Sequence, residues 1–530
     1  MSDRTAILHA FDGGWATDLS PRSTAAPDAN GHLKIPYLLT AENIVYELDG
    51  SVRKAPGAAK VNSTAVNSGN DIHGCFDVWF HGAAGTPTQH RILNSTTKIL
   101  KDDADGTFTD LFTGLVSGAV PSYAMFEDLL IIGLDSTDTP KSWDGTTAQA
   151  LAGSPPAFSI CCVHANRLWV SGIKARPSAV AYSPLLDPEN TSGDGWGYIN
   201  CDPSDGDRVT AIASYKKELI VFKGPYKGSI HRIAGTAPTG SDGYRRERWI
   251  EGIGAAGQNT LFTFQDDLGF MNFDASIHSL KATAAYGDFN EAALSRPINT
   301  FLQRANFSRL KQAWAASKAG SDAGYVLFAL PIDAATVNNA VIGMDFRFNP
   351  PRWFYWPAYG DRAMSIMSGI DPTSNNRRIF FAGGGDGYLR KLLQVTRTID
   401  AGTEIGMNVE TPYFDYGAPF NMKTAGEGFV QFAPKNNGEI HFGIRRDDAD
   451  IQTFDVAQDG GAPLGGATGF TLGVSELAQA SVIEKFFEAD PVGEFRQVQF
   501  KISNDTVGED VEVHGFGLRV EGGSISTENN

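Results

Sequence analysis

A short apolar strand, a polar turn and a second apolar strand recur seven times between residues 76 and 384, and few folds accommodate that recurrence. The units are FDVWFHGAAGTPTQHRILNS (76–95), YAMFEDLLIIG (123–133), CCVHANRLWVSG (161–172), AIASYKKELIVFK (211–223), LFTFQDDLGFMNF (261–273), WAASKAGSDAGYVLFAL (314–330) and SIMSGIDPTSNNRRIFFAGG (365–384). Their second strands start near His90, Asp128, Arg167, Glu218, Asp267, Tyr325 and Arg378. A spacing of roughly 40 to 60 residues matches one four-stranded propeller blade per period. Stretches such as LLII, LIVF and YVLF are apolar on both faces, as a strand sandwiched between neighbouring blades must be. Such a sheet cannot cover its own faces, so several must stack radially and close. Outer-strand patterns follow each hairpin, as in KSWDGTTAQAL (141–151), GSIHRIAG (228–235) and GGDGYLRKL (384–392). The 58 glycines suit many tight turns between short strands. The expected fold class is all-β, a propeller of about six to eight blades with a C-terminal antiparallel β-sandwich.

One segment departs from this pattern. SRPINTFLQRAN (295–306) predicts a helix with Ser295 as N-cap, Pro297 in the first turn, and Ile298, Phe301, Leu302 and Ala305 on one face. Beyond about residue 400 the strands alternate more strictly, in GEIHFGIRR (438–446), EFRQVQFKIS (494–503) and EDVEVHGFGLRVEG (509–522). That pattern predicts sheets with one solvated face. The expected organisation is therefore an N-terminal segment (1–60) joining or closing the propeller, the propeller (61–400) and the sandwich (401–530). The Gly-rich stretch 455–469 reads as a loop, and the terminal SISTENN as disordered.

Charge and cysteine usage narrow the function classes. With 44 Lys+Arg against 61 Asp+Glu, the net charge of −17 argues against sequence-independent nucleic-acid binding. The same charge suits a passage that DNA crosses without sticking. Cys75, Cys161, Cys162 and Cys201 form no CxxC pair, and Cys161 and Cys162 point to opposite faces of a strand, which predicts buried reduced thiols. No signal-peptide pattern and no run of about twenty apolar residues occurs, so assembly in a cytoplasm without a membrane span is expected.

Catalytic signatures are missing: there is no P-loop, GxSxG elbow, HExxH or Cys/His zinc spacing, and the ten histidines are scattered. KDDADGTF (101–108) is close to the Asp-box turn of sialidases but lacks its leading Ser and does not recur by blade, so an Asp-Gly hairpin turn explains it. Asp102, Asp103 and Asp105, or Asp202, Asp205 and Asp207, offer oxygen ligands to Ca²⁺ without the twelve-residue loop and its terminal Glu. RWFYWP (352–357) reads as core packing between blades or as an interface platform. Arg245, Arg246 and Arg248 form the densest basic patch. No catalytic, cofactor-binding or metal residue is assigned, and the chain is expected not to be an enzyme.

The stretches FDGGWATDLSPRS (11–23) and AENIVYELDGSVRKAPG (41–57) resemble the opening of bacteriophage tail nozzle or hub proteins, with Asn43, the Asp49-Gly50 turn, Arg53-Lys54 and Pro56-Gly57 as the shared pattern. ANRLWVSG, AYSPLLDP and GWGYIN (within 165–200), the block 324–356, and TPYFDYG (411–417) through FRQVQFKIS are similar in texture. The resemblance implies a virion structural protein of a short tail: a homo-oligomeric ring, commonly hexameric, below the head-to-tail portal adaptor. Such a ring conducts DNA during ejection without sequence-specific binding and docks tail fibres or receptor-binding proteins. Two other readings stay open at this point, a propeller glycosidase and a lectin-like module, each acting on host surface polysaccharide.

Overall fold

The computed structural model describes residues 4–9, 11–23, 34–82, 85, 87–102, 106–190, 195–286, 293–320, 323–393, 396–400, 402–435, 438–447, 449–458 and 482–522. The expected loop 455–469 (past residue 458) and the 524–530 tail lie outside the described residues, as do Asp103 and Asp105. The chain divides into two compact units: Lys60–Val341 with Tyr359–Leu392, and Met1–Ala59 with Ile342–Ala358 and Leu393–Asn530.

The first unit is a β-propeller, and its seven hairpins head seven blades. Blades one to four are four-stranded antiparallel sheets that open at Ile72–Phe80, Ser122–Phe126, Ile160–His164 and Arg208–Tyr215. Blade five has three strands from Leu261–Phe264 onward, and a helix, Leu280–Tyr286, takes up the chain where a fourth would begin. Blade six opens with Trp314–Gly320 and Ala323–Leu330, and blade seven with Ser365–Asp371 and Asn376–Ala382.

The second strand of each hairpin is apolar throughout because it feeds two interfaces at once. Successive side chains on a strand point to opposite faces. Thus Leu130 and Ile132 pack toward blade one, while Ile131 packs toward blade three. Leu168 and Val170 face blade two, and Trp169 between them faces blade four. Leu219 and Val221 face blade three, whereas Ile220 and Phe222 face blade five. Cys161 and Cys162 divide the same way, one to each side of blade three. Phe262 and Phe328 join blades five and six with ring centroids 5.1 Å apart. Cys75 and Leu93 of blade one share a cluster with Phe380 and Leu389 of blade seven, so the ring is closed.

Polar contacts lock that closure. Val61 N–H donates to Leu389 O (2.7 Å), and the Asn62 amide accepts from Leu389 N–H (2.8 Å) and donates to Gly387 O (3.0 Å). Asp77, half-buried, and Arg91, buried, pair in blade one through two hydrogen bonds (2.7 and 3.1 Å). Asp77 also accepts from Ile370 N–H, and Arg91 donates to Ile370 O, on blade seven.

The second unit is a sandwich. One sheet orders Ile44–Tyr46, Val52–Lys54, Glu512–Gly522, Lys423–Phe432 and Ile483–Glu488. The other includes Tyr413–Phe414, Val498–Asn504, Met407–Glu410 and Thr40–Glu42, with Glu439–Arg446 also paired to Val498–Asn504. Phe442 and Phe500 of the second sheet meet Phe516 of the first, at 5.2 and 4.8 Å between ring centroids. The expected fold class is the observed one.

Two local expectations are corrected. Residues 295–306 form a 3₁₀ turn (Arg296–Ile298) and a single α turn (Asn299–Leu302), not a continuous helix. Ser295 does not cap it, because its hydroxyl accepts Ile277 N–H (2.9 Å). Its four apolar residues are buried as the pattern predicts. The 352–357 aromatic run is core, but of the sandwich unit and not between blades. Trp353 and Trp356 are fully buried, with Trp356 Nε1 donating to Ile44 O (2.7 Å) and Tyr46 OH to Trp353 O (2.9 Å).

Candidate functional site

At the end of the propeller where the innermost strands begin, the chain enters each hairpin through a loop, and loops of blades two to six converge on the axis. They enclose a cavity of about 600 Å³. Its floor is held by side chains that span blades. Asn259, ahead of blade five, donates its amide to Pro121 O, ahead of blade two (3.0 Å). Gln258 beside it accepts from Ile212 N–H (2.9 Å) and donates to Ile212 O (3.0 Å).

The wall carries three exposed cations, Lys174 after the second strand of blade three, Arg208 at the head of blade four and Lys311 ahead of blade six. None of the three has an ion-pair partner among the described residues. The lone carboxylate among the lining residues is Asp135, whose Oδ1 accepts the N–H and hydroxyl of Thr137 (2.9 and 2.7 Å). Three cations against one carboxylate give the lining a net positive charge. No sequence pattern marks the three cations, because the ring closure brings them together and no local spacing does.

Asp202, Asp205 and Asp207, one of the two sets singled out as oxygen ligands, are committed elsewhere. Asp202 accepts from Arg246 and Arg248 at 2.6 Å each, which absorbs two members of the basic patch. Asp205 pairs with the buried Lys223 (2.5 Å), and Asp207 accepts three backbone N–H groups from Tyr226, Lys227 and Gly228. Beside them His231 is fully buried, and burial pushes its pKa down to about 4. Of the histidines beside the first hairpin, His73 is held below its ordinary value by burial, and His81 lies against Asp128 (3.3 Å). Two clusters were not anticipated: Asp49, Glu512 and His514, and Glu439, His441 and Asp455, each with ligand atoms within 4.8 Å of one another. A Glu-x-His pair on one strand face is the signal that finds both. Glu512 also faces Lys435 (2.9 Å) and Arg53 (3.6 Å), so the first cluster already carries its countercharge.

The residues behind the nozzle resemblance are structural members of the sandwich unit. Asn43 sits at a positive φ of 51°, donates its amide to Gly406 O (2.6 Å) and accepts from Ala358 N–H (3.2 Å). Gly50, at φ 89°, makes the turn after Asp49, whose carboxylate accepts Ser51 N–H (3.0 Å). Arg53 forks onto Asp510 (3.1 and 2.5 Å), which also accepts from Arg397 (2.7 Å), and the two guanidiniums hold the Asp510 carboxyl below the usual range. Lys54 is buried, donates to Asn504 Oδ1 (2.5 Å) and Thr506 O (2.9 Å), and is pushed down to about 8 by burial. At Gly57 a Cβ would lie 2.4 Å from Thr398 O, so the close approach requires glycine.

The fold class is thus a seven-bladed β-propeller unit and a β-sandwich unit in one chain. No protein-family model matches the chain, and no curated protein matches it. Among solved structures it is similar to YCF48 bound to a D1 peptide, at 10% identity and a TM-score of 0.34 over 72% of this chain and 99% of that one. It is also similar to the exo-β-1,3-galactanase of Phanerochaete chrysosporium, at 7% identity and a TM-score of 0.27 over 86% and 99%. The CNH domain of AfRom2 gives 10% identity and a TM-score of 0.35 over 63% and 99%. The galactanase and a second glycoside hydrolase (10% identity, TM-score 0.25) correct one expectation. Missing catalytic motifs predict a chain that is not an enzyme, yet glycoside hydrolases stand among the structures aligned with it, so that assignment is overturned.

Proposed function

We propose that the chain is a bacteriophage tail component, a nozzle or hub that assembles as a homo-oligomeric ring below the portal adaptor and docks fibres or receptor-binding proteins. The observation that carries this reading is the 41–57 stretch. Its resemblance to the nozzle opening rests on Asn43, Asp49-Gly50, Arg53-Lys54 and Pro56-Gly57, and all but Pro56 have an identified part in building the sandwich unit. A pattern most of whose members take part in building one fold is a stronger marker than scattered identities.

The net charge supports the same reading. A wall in a chain of −17 repels the phosphate backbone, which favours passage over adhesion. The axis of a single propeller is bridged by Asn259 and Pro121, so a DNA passage belongs to the ring of subunits and not to the propeller bore.

The test is cryo-electron microscopy of the full chain mixed with a portal–adaptor complex. A symmetric ring of this chain stacked on the adaptor is the expected image. A chain that stays monomeric beside an intact adaptor, at concentrations well above those that saturate stable interfaces, overturns the reading.

A further inference from the structure

We propose that the axial cavity of the propeller unit binds a small acidic saccharide, a sugar bearing carboxylate or phosphate groups, through Lys174, Arg208 and Lys311. Three cations without ion-pair partners among the described residues, in a chain with a net charge of −17, line one cavity. Exposed arginines such as Arg232 and Arg304 answer nearby acids, Glu247 (2.6 Å) and Asp333 (2.8 Å), and the cations lining the cavity do not. With no carboxylate partner, the three cavity cations can pair with an anionic ligand. Their number calls for more than one negative group, since each charge-assisted contact wants its own acceptor.

Asp135 sets the second requirement. Its Oδ1 is spent on Thr137, while Oδ2 has no partner among the described residues, so it accepts from a ligand hydroxyl and repels a bare anion. Ser117 and Ser136 line the same cavity. A ligand with both anionic groups and hydroxyl donors meets all of these, and an acidic sugar is the smallest common class that does. The cavity, at about 600 Å³, lies in the range of small-molecule sites and is far too small for a nucleic-acid duplex. The floor is pre-formed by the Asn259 and Gln258 bonds, which lowers the ordering cost of binding. The inference is independent of the tail reading and stands or falls without it.

Calorimetric titration of the full chain, at fixed ionic strength, tests it with four probes: a galacturonate oligosaccharide, a sugar phosphate, the neutral oligosaccharide and inorganic phosphate. The first two arms distinguish carboxylate from phosphate as the preferred group. The expected result is measurable binding of at least one acidic sugar, at least about tenfold tighter than the neutral sugar and inorganic phosphate. Lys174→Ala, Arg208→Ala and Lys311→Ala should each weaken it by about tenfold. Asp135→Asn should weaken the acidic sugar while strengthening inorganic phosphate. The three cationic side chains are exposed, so circular dichroism and thermal midpoints unchanged from the parent will show that these variants fold. Failure of both acidic sugars to bind, inorganic phosphate binding as tightly as they do, or undiminished affinity in the triple alanine variant overturns the inference.

Discussion

Asn259 and Pro121, which stand ahead of blades five and two, are joined across the propeller axis by a 3.0 Å hydrogen bond from the Asn259 amide to the Pro121 carbonyl. The bond ties blades two and five through residues that line the cavity. Asn259→Ala removes the donor and leaves a partly buried carbonyl to water. A loss of about 1 kcal/mol is expected from urea denaturation, with the midpoint shifted and the slope unchanged. A change in slope instead means that the bridge holds the ring together cooperatively.

Ring closure depends on an ion pair. Arg91 and Asp77 satisfy each other and the backbone of Ile370 on blade seven. Arg91→Ala leaves the Asp77 carboxylate with only the Gln89 amide and Ile370 N–H as donors, and losing the charged partner should cost about 2–3 kcal/mol. Replacing both partners with apolar residues of similar volume should cost less than the single change. Equilibrium unfolding of the two variants decides the order, and a double variant worse than Arg91→Ala refutes the closure argument.

The second strands were readable because burial on both faces leaves no room for polar alternation: Trp169 and its neighbours Leu168 and Val170 serve different interfaces, yet all are apolar. The sandwich was less readable. Thr40–Glu42 pairs with Met407–Glu410, a register set by long-range pairing that no local window contains. The helix Leu280–Tyr286 escaped notice because a seven-residue stretch offers barely two turns of periodicity. Lys174, Arg208 and Lys311 share a cavity only once blades three, four and six take their places around the axis, so their grouping exists in the fold and not in the spacing.

Acid should weaken the propeller in a defined window. Burial holds His231 and His278 near a pKa of about 4, below the ordinary value of 6.5. Between those values the unfolded chain binds protons that the folded chain refuses, so stability is fully present above pH 6.5 and is lost as pH falls toward 4. The carboxylates held low, such as Asp202 and Asp205, act in a separate and lower range. Thermal midpoints measured from pH 7 to 4 should therefore fall, and the fall should shrink in His231→Gln. An equally steep fall in that variant removes His231 from the account.

Thiol chemistry gives a simple check on packing. Cys75, Cys161 and Cys201 are buried, and burial pushes each thiol up to about 12. A thiol that is neither exposed nor ionised is inert. Ellman's reagent at neutral pH should label none of these three in the folded protein and all of them in guanidinium. Prompt labelling of Cys161 in the native protein means that the interface between blades two and three opens readily.

Asn43 allows the nozzle-like stretch to be tested as architecture. Its φ of 51° is one that glycine adopts freely and alanine does not, while its side chain makes two bonds, to Gly406 and Ala358, from a nearly fully buried position. Asn43→Gly keeps the backbone relaxed and loses both bonds, at a cost of about 2–4 kcal/mol with their buried partners left unsatisfied. Asn43→Ala loses the same bonds and adds about 1 kcal/mol of left-handed strain. Alanine should thus be the worse substitution, the reverse of the usual order away from turns, where glycine is the costlier residue. Urea denaturation of the two variants resolves a difference of that size. Should alanine match or exceed glycine, the asparagine is there for some purpose other than shaping the chain, and the 41–57 stretch loses its standing as a structural signature.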